Sequence, residues 1–124
     1  MAKISYITVG TNNPAKATAF YDALLGPIGM TSMFDHPSGG RIYAGAPGMF
    51  GVLGPYNGEA ATVGNGTMIG FNVDTREEVD TLHAKALELG GSCEGAPGVR
   101  GEGTSYFAYF RDLDGNKLCA FSMG

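Results

Sequence analysis

The chain has 124 residues, 44% of them hydrophobic and 21 of them glycine, and its formal net charge is -4. This length fits one domain. The negative charge argues against a nucleic acid or an anionic membrane surface as partner, and no apolar run approaches the ~18 residues of a membrane span. Glycine at more than twice its usual share of ~7% predicts tight turns between short strands.

Cysteine usage and the N-terminal residues predict a cytoplasmic protein. Cys93 and Cys119 are the only cysteines, and they do not form a CxxC pair or a secreted disulfide framework. The first residues lack the long apolar stretch of a signal peptide. A reducing compartment is therefore expected.

The first half of the chain predicts the element order β-α-β-β-β. An apolar strand, Ile4–Gly10, is followed by Asn13, a favourable N-cap, and Pro14, a favourable first helical residue. The helix has one apolar face, which consists of Ala17, Phe20, Tyr21, Leu24, Leu25 and Ile28. Three strand candidates follow between Gly- and Pro-containing turns: Met30–Asp35, Arg41–Gly45 and Met49–Gly54.

The second half predicts the same order after a polar, glycine-containing linker at residues 55–66. The strand Thr67–Val73 precedes a capping box formed by Thr75 and Glu78. The helix that follows has the apolar face Leu82, Ala86 and Leu89, and two glycines end it. The last strand candidates are Ser92–Gly95, Ser105–Arg111 and Lys117–Ser122, with a loop at 96–104 and an Asp-Gly turn at 112–116.

The pattern predicts that the two halves are copies of one unit. The second copy begins about 62 residues after the first, which is half of the chain length, and the register needs no gap through the first strand and helix. We expect one domain, 1–124, with modules at 1–54 and 67–124. Two units too small to fold alone must pair their sheets, and the space beside paired sheets can hold a ligand.

Three motifs resemble the vicinal oxygen chelate superfamily, which includes glyoxalase I, extradiol dioxygenases, bleomycin-resistance proteins and fosfomycin-resistance enzymes. They are Asn-Pro-x-x-x-x-x-Phe-Tyr from Asn13 to Tyr21, Gly64-Asn65-Gly66-Thr67, and Phe110-Arg111-Asp112-Leu113-Asp114-Gly115-Asn116-Lys117. The resemblance covers essentially the whole chain. It implies an α+β fold in which two tandem βαβββ modules form curved mixed sheets with the helices outside. It also implies a homodimer.

The residues at the positions of the superfamily's metal ligands do not include His, Glu or Gln. Enzymes of the superfamily hold a divalent metal with His, Glu or Gln from the first and last strands of each module, because a Lewis acid needs N and O donors. Carried over, these positions fall on Tyr6, Met68, Cys119 and either Gly51 or Val52. We therefore expect neither a metal nor another cofactor.

The candidate ligand-binding residues are Tyr6, Met68, Cys119, Arg41 and Tyr109. Met68 and Cys119 are soft, mostly apolar residues suited to a pocket wall, and the Tyr6 phenol could orient a ligand. Strand alternation requires about half of the strand aromatics, Tyr109 among them, to face the concave side of a sheet. Arg41 is a candidate anchor for an anion.

Three other polar residues have weaker claims to a role in binding or catalysis. His83 lies in line with the apolar stripe of the second helix, so we expect partly buried packing, and His36 precedes a proline in a turn. Their spacing matches no metal site. Arg111 is a further candidate anchor for an anion, or it pairs with the acidic turn beside it.

The sequence is compatible with two functions from different classes. One is a metal-free protein, similar to bleomycin-resistance proteins, that binds a small, partly apolar molecule in a groove. The alternative is a glyoxalase-like lyase or isomerase with an atypical site that uses Tyr6 as acid or base. Whether the protein is an enzyme stays open at this point. A purely structural or interaction role has no support in the chain.

Overall fold

The computed structural model describes residues 1–45 and 48–124, which form two four-stranded mixed sheets with one α-helix each. The chain divides into a first unit, Met1–Val63, and a second unit, Gly64–Gly124. The predicted turn at Ala46-Pro47-Gly48 falls largely outside the described residues. No helix in the described ranges is both long enough and apolar enough to cross a membrane.

The two units have the same order of elements and the same order of strands. The first contains β1 (Tyr6–Gly10), α1 (Pro14–Leu25), a short 3-10 helix (Gly26–Ile28), β2 (Thr31–Asp35), β3 (Arg41–Gly45) and β4 (Gly48–Leu53), in the sheet order β1-β4-β3-β2. The second contains β5 (Ile69–Asn72), α2 (Arg76–Glu88), β6 (Ser92–Val99), β7 (Tyr106–Arg111) and β8 (Lys117–Ser122), in the order β5-β8-β7-β6. In each sheet the first and last strands are parallel and the other pairs are antiparallel. The predicted repeat of βαβββ modules is confirmed.

Both helices begin where the capping residues predict. The Asn13 side chain accepts from the Lys16 amide at 3.2 Å, and Pro14 is the first helical residue. Thr75 accepts from the Glu78 amide at 3.1 Å, while the Glu78 carboxylate accepts from the Thr75 hydroxyl at 3.2 Å. The capping box therefore closes through the Thr75 side chain rather than through its backbone amide.

Each helix covers one face of its own sheet. In the first unit, Tyr21 of α1 contacts Phe50 of β4 with ring centroids 4.9 Å apart, and both rings are buried. In the second unit, His83 of α2 lies edge-on to Phe110 of β7 at 6.3 Å. The helix-facing strand residues are buried apolar side chains: Tyr43, Phe50, Val52, Ala108, Phe110, Leu118 and Ala120.

Part of the predicted linker is hydrogen-bonded to the end of β1. The Asn12 side chain accepts from the Ala61 amide at 2.7 Å and donates to the Ala61 carbonyl at 3.0 Å. A Cβ at Gly10 would lie 2.9 Å from the Ala61 Cβ, so glycine permits this close approach. Residues 55–63 accordingly group with the first unit.

β6 extends further than the sequence indicates. Residues 96–99, which we expected to lie in a loop, continue the strand and pair with β7, with register shifts on both sides of Gly95. Bulges are common at sheet edges, and glycine accommodates the altered backbone there. The Arg100 amide donates to the Ser105 carbonyl at 3.0 Å and closes the hairpin.

We predict that acid destabilises the fold through His83. Its side chain is 6% exposed, Nε2 has no hydrogen-bond partner, and burial lowers the pKa of the imidazole. The unfolded state, with a pKa of ~6.5, then binds more protons than the folded state, so this contribution to stability is lost as the pH falls below that value. Urea unfolding of the wild type and of His83→Leu at pH 7.5 and 5.0 measures this contribution to the free energy of unfolding.

The His83→Leu variant should lose less unfolding free energy between the two pH values than the wild type. Leu87→Ala, at an exposed position of the same helix without a titratable group, serves as the control and should keep the wild-type difference. An equal loss in the wild type and in His83→Leu would contradict the prediction.

Candidate functional site

The face of each sheet that points away from its helix is called here its open face. In the second unit, Ala108, Phe110, Leu118 and Ala120 are buried toward α2. Strand alternation therefore turns the residues between them to the open face. These are Phe107, Tyr109 and Arg111 of β7 and Lys117, Cys119 and Phe121 of β8.

Strand pairing arranges these side chains in rows across the sheet. Gly70, Cys119, Tyr109 and Gly95 are successive partners across β5, β8, β7 and β6. A Cβ at Gly70 would lie 3.0 Å from the Cys119 Sγ and 3.1 Å from the Phe121 ring. Cys119 and Phe121 therefore lean over the bare backbone of β5.

Three aromatic rings form a stacked group on this open face. Phe107 stacks on Phe121 across the strands, with centroids 5.0 Å apart and planes 11° apart. It also stacks on Tyr109 along its own strand, at 5.9 Å and 12°. All three rings are partly exposed, so they offer a ligand an aromatic surface.

Cationic side chains surround the Tyr109 end of the aromatic group. The Arg100 guanidinium and the Lys117 ammonium each lie 5.5 Å from the Tyr109 ring centroid. Arg111 instead pairs with Glu94 and donates to the Gly115 carbonyl at 2.8 Å. The hydrogen bond from Arg111, followed by its positive charge, holds the pKa of the Glu94 carboxyl below its usual value.

Met68 and Cys119 belong to this face but differ in accessibility. Met68 directly precedes β5 and is 45% exposed, whereas Cys119 is 1% exposed. Burial raises the pKa of the Cys119 thiol, and the nearby Lys117 charge only partly opposes that rise. The thiol is therefore neutral near pH 7, and it suits a wall residue better than a nucleophile.

Tyr6 lies on the open face of the first unit, and strand pairing there decides between Gly51 and Val52 as the fourth metal-equivalent position. Thr8 of β1 pairs with Gly51 of β4, as Gly70 pairs with Cys119 in the second unit. Gly51, rather than Val52, is thus the counterpart of Cys119, and Val52 is fully buried toward α1. Tyr6 is 51% exposed.

The four positions that would supply a metal site carry unsuitable donors. Gly51 has no side chain, Met68 is a weak soft ligand, and the Tyr6 phenol and Cys119 thiol are poor donors while protonated. Among residues 1–45 and 48–124, no group of three or more His, Cys, Asp or Glu side chains could hold a metal ion. This set does not fit a divalent ion.

Arg41 does not share the open face of the first unit with Tyr6. Its guanidinium donates to Asp22 of α1 at 2.6 Å and to Asp35 of β2 at 2.7 Å. The hydrogen bonds to Asp35 and then Asp22 raise the pKa of the guanidinium. Arg41 therefore faces the helix side of its sheet, where it joins α1 to the strands.

A cleft of about 1030 Å³ lies in the first unit, beside the ends of β1 and β4. It is lined in part by Thr8, Leu53 and the segment 54–62, and by the turn that carries His36 and Ser38. The His36 Nδ1 accepts from the Ser38 amide at 3.1 Å and lies 2.8 Å from the Ser38 hydroxyl, whose oxygen accepts from the Gly54 amide at 3.1 Å. These bonds fix the shape of the turn.

Sequence reasoning counted Phe107 and Phe121 among the strand aromatics without assigning their face, and it missed Arg100 and Lys117 of the second unit's open face. The alternation of Lys117, Cys119 and Phe121 on one strand is a signal that could have indicated a shared face. Arg100 lies outside the strands in what reads as a glycine-rich loop, and no sequence pattern connects it with Tyr109.

Comparison with known proteins gives a family and several related folds. The profile of the Glyoxalase/Bleomycin resistance protein/Dioxygenase superfamily matches residues 3–120. A glyoxalase/bleomycin resistance protein from Albidiferax ferrireducens T118 is 40% identical, with 98% of each chain covered and a TM-score of 0.90. No functionally curated protein matches the chain.

Two more distant structures show likeness of fold alone. Lactoylglutathione lyase from Agrobacterium tumefaciens is 21% identical, with 98% of this chain and 94% of that chain covered and a TM-score of 0.72. A genomically encoded fosfomycin resistance protein from Listeria monocytogenes, complexed with Mn(II) and sulfate, is 18% identical, with 100% and 92% covered and a TM-score of 0.76.

Proposed function

Because the chain belongs to the glyoxalase/bleomycin resistance protein/dioxygenase superfamily, we propose that it binds a small, partly apolar molecule without the divalent metal of the superfamily's enzymes. The binding surface is the open face of the second unit, to which Met68, Cys119 and Tyr109 belong. Tyr6 belongs to the open face of the first unit, and Arg41 belongs to neither open face.

The observation that carries the proposal is the character of the open face in the second unit. It combines partly exposed aromatic rings, the exposed Met68 and two cations, whereas the opposite face is buried against α2. Burial of 100 Å² of such apolar surface stabilises a complex by about 2.5 kcal/mol, before the costs of association and ordering. A few polar groups would then orient the ligand.

The absence of divalent-metal chemistry is supported by the donor set and by its contrast with a relative. The Listeria protein of similar fold was solved with Mn(II). In this chain the positions that the superfamily resemblance assigns to metal ligands carry a phenol, a thioether and a thiol, and the fourth, chosen by strand pairing, is a bare glycine.

The alternative, a lyase or isomerase with Tyr6 as acid or base, has less support. No hydrogen bond of the Tyr6 hydroxyl is found in the described parts of the chain. A general acid or base normally acts beside groups that orient it.

We also propose a homodimer in the cytoplasm. Phe34, on the edge strand β2, is 51% exposed, and Tyr6, on the opposite edge strand β1, is exposed to the same degree. Native proteins protect exposed sheet edges, and a partner subunit is one of the elements that can cover them.

We predict that the purified protein retains no stoichiometric divalent metal. After incubation with Mn(II), Ni(II), Zn(II) or Fe(II) and dialysis, mass spectrometry should find far less than one ion per chain, because the donors cannot compete with water. One equivalent of metal that survives dialysis in the wild type and is lost in Cys119→Ala would overturn the metal-free proposal.

A second prediction concerns ligand binding at Met68. Fragments found by a thermal-shift and NMR screen should bind Met68→Ala roughly three- to tenfold more weakly, because the exposed thioether supplies apolar contact. Leu87→Ala is the matched control: Leu87 is an exposed apolar residue of the same unit, 37% accessible, but it lies on α2. Equal affinities for both variants, or a screen without any hit, would contradict the proposed function.

A third prediction concerns assembly. Sedimentation at micromolar concentration should show a dimer for the wild type and for Leu87→Asp. Phe34→Asp should shift the protein toward monomer, because a carboxylate would replace apolar surface at an edge that the dimer covers. A monomeric wild type at this concentration would show that the dimer proposal is wrong.

A further inference from the structure

Two positive charges converge on one ring of the second unit, and neither belongs to an ion pair within the described residues. Arg100 and Lys117 each lie 5.5 Å from the Tyr109 centroid, so they are no further from each other than twice that distance. The nearby carboxylate of Glu94 pairs with Arg111, whose hydrogen bond and charge lower the pKa of that carboxyl more than the Lys117 charge does. The Arg100 guanidinium donates to the Ala96 carbonyl at 2.6 Å.

This concentration of charge is unusual for the chain. The whole protein has a formal net charge of -4, yet this face has the cations Arg100, Lys117 and Arg111 against the single carboxylate of Glu94. Cation–π contact with Tyr109 offsets only part of the repulsion between Arg100 and Lys117. An anion near both charges would remove it.

The aromatic surface beside the cations indicates the shape of the apolar part of the ligand. Phe107 and Phe121 continue the stacked group away from the cations. The Arg100 guanidinium lies over Gly95 and Gly98 of β6, within 3.4 Å and 2.9 Å of where a Cβ would stand, so these glycines let it reach the Tyr109 ring. A flat conjugated group fits against partly exposed rings better than a bulky saturated one, because it gains offset-stacked or edge-to-face contact.

We propose that the open face of the second unit binds a small planar aromatic carboxylate, with its ring against Phe107 and Phe121 and its carboxylate at Arg100 and Lys117. This assignment rests on the proposed function, because it names the ligand class of a surface already proposed to bind a small molecule. A phosphate-rich polymer is disfavoured, because Arg100 and Lys117 are two cations on one small face and the net charge of the chain is -4.

The first test compares two probes of the same shape on the unmodified full-length protein. Calorimetric or NMR titration at pH 7.5 and low salt measures 2-naphthoate against its neutral counterpart, 2-naphthamide. We expect a Kd on the order of 0.1 mM for 2-naphthoate, given its few heavy atoms. The amide should bind at least about tenfold more weakly, because it cannot neutralise the two cations.

Variants then assign the effect to named side chains. Lys117→Met and Arg100→Met should each weaken 2-naphthoate about tenfold and change 2-naphthamide less than about twofold. Phe121→Leu should weaken both probes, because it removes the ring but keeps an apolar side chain. The matched control is Arg76→Met: Arg76 also lies over an aromatic ring, Tyr106, at 5.1 Å, but Tyr106 bonds to Asp80 of α2 and so lies on the helix side.

The outcomes separate this inference from the function on which it rests. Equal binding of naphthoate and naphthamide would overturn the carboxylate assignment, as would unchanged naphthoate affinity in well-folded Lys117→Met and Arg100→Met. If neither probe binds while other fragments bind in a Met68-dependent manner, the ligand class is wrong and the binding function stands. If no fragment binds at all, both are wrong.

Discussion

Each four-stranded sheet in this protein has a single helix, and one helix covers only one face. Because the helix connects the first strand to the rest of the unit, it packs on the face that carries Tyr43 and Phe50 in the first unit and Phe110 and Leu118 in the second. Alternation along the strands then assigns every second side chain to the other face. The partial exposure of Tyr6 follows from this constraint.

The turn between β7 and β8 fixes which side chains meet on the open face. Buried Asp112 accepts from the amides of Asp114 and Asn116, both at 2.9 Å, and from the Asn116 side chain at 2.9 Å. Gly115 adopts φ +91° within the same turn. A shift of one residue here would turn Lys117 and Cys119 toward the helix. The Asp-rich turn is therefore a condition for the cluster around Tyr109.

The two units keep the same fold while their open faces differ. Residues in equivalent places, Tyr6 and Met68 on the first strands and Gly51 and Cys119 on the last, share no donor chemistry. Fold stability depends on the helix-facing side, so the open side is free to change its chemistry. This separation agrees with a superfamily in which one architecture serves several functions.

The sequence by itself determined the repeated βαβββ order and both helix starts, because apolar periodicity and capping are local properties, and the resemblance of three motifs indicated the family. Tertiary structure decided the rest. The strand register makes Gly51, rather than Val52, the counterpart of Cys119. Pairing with β7 extends β6 through residues 96–99, and Arg41 bonds to Asp22, 19 positions away. Tertiary structure also brought Arg100 and Lys117 to the same ring. Register, bulges and ion pairs between distant segments are set by the pairing of whole strands, which no local pattern encodes.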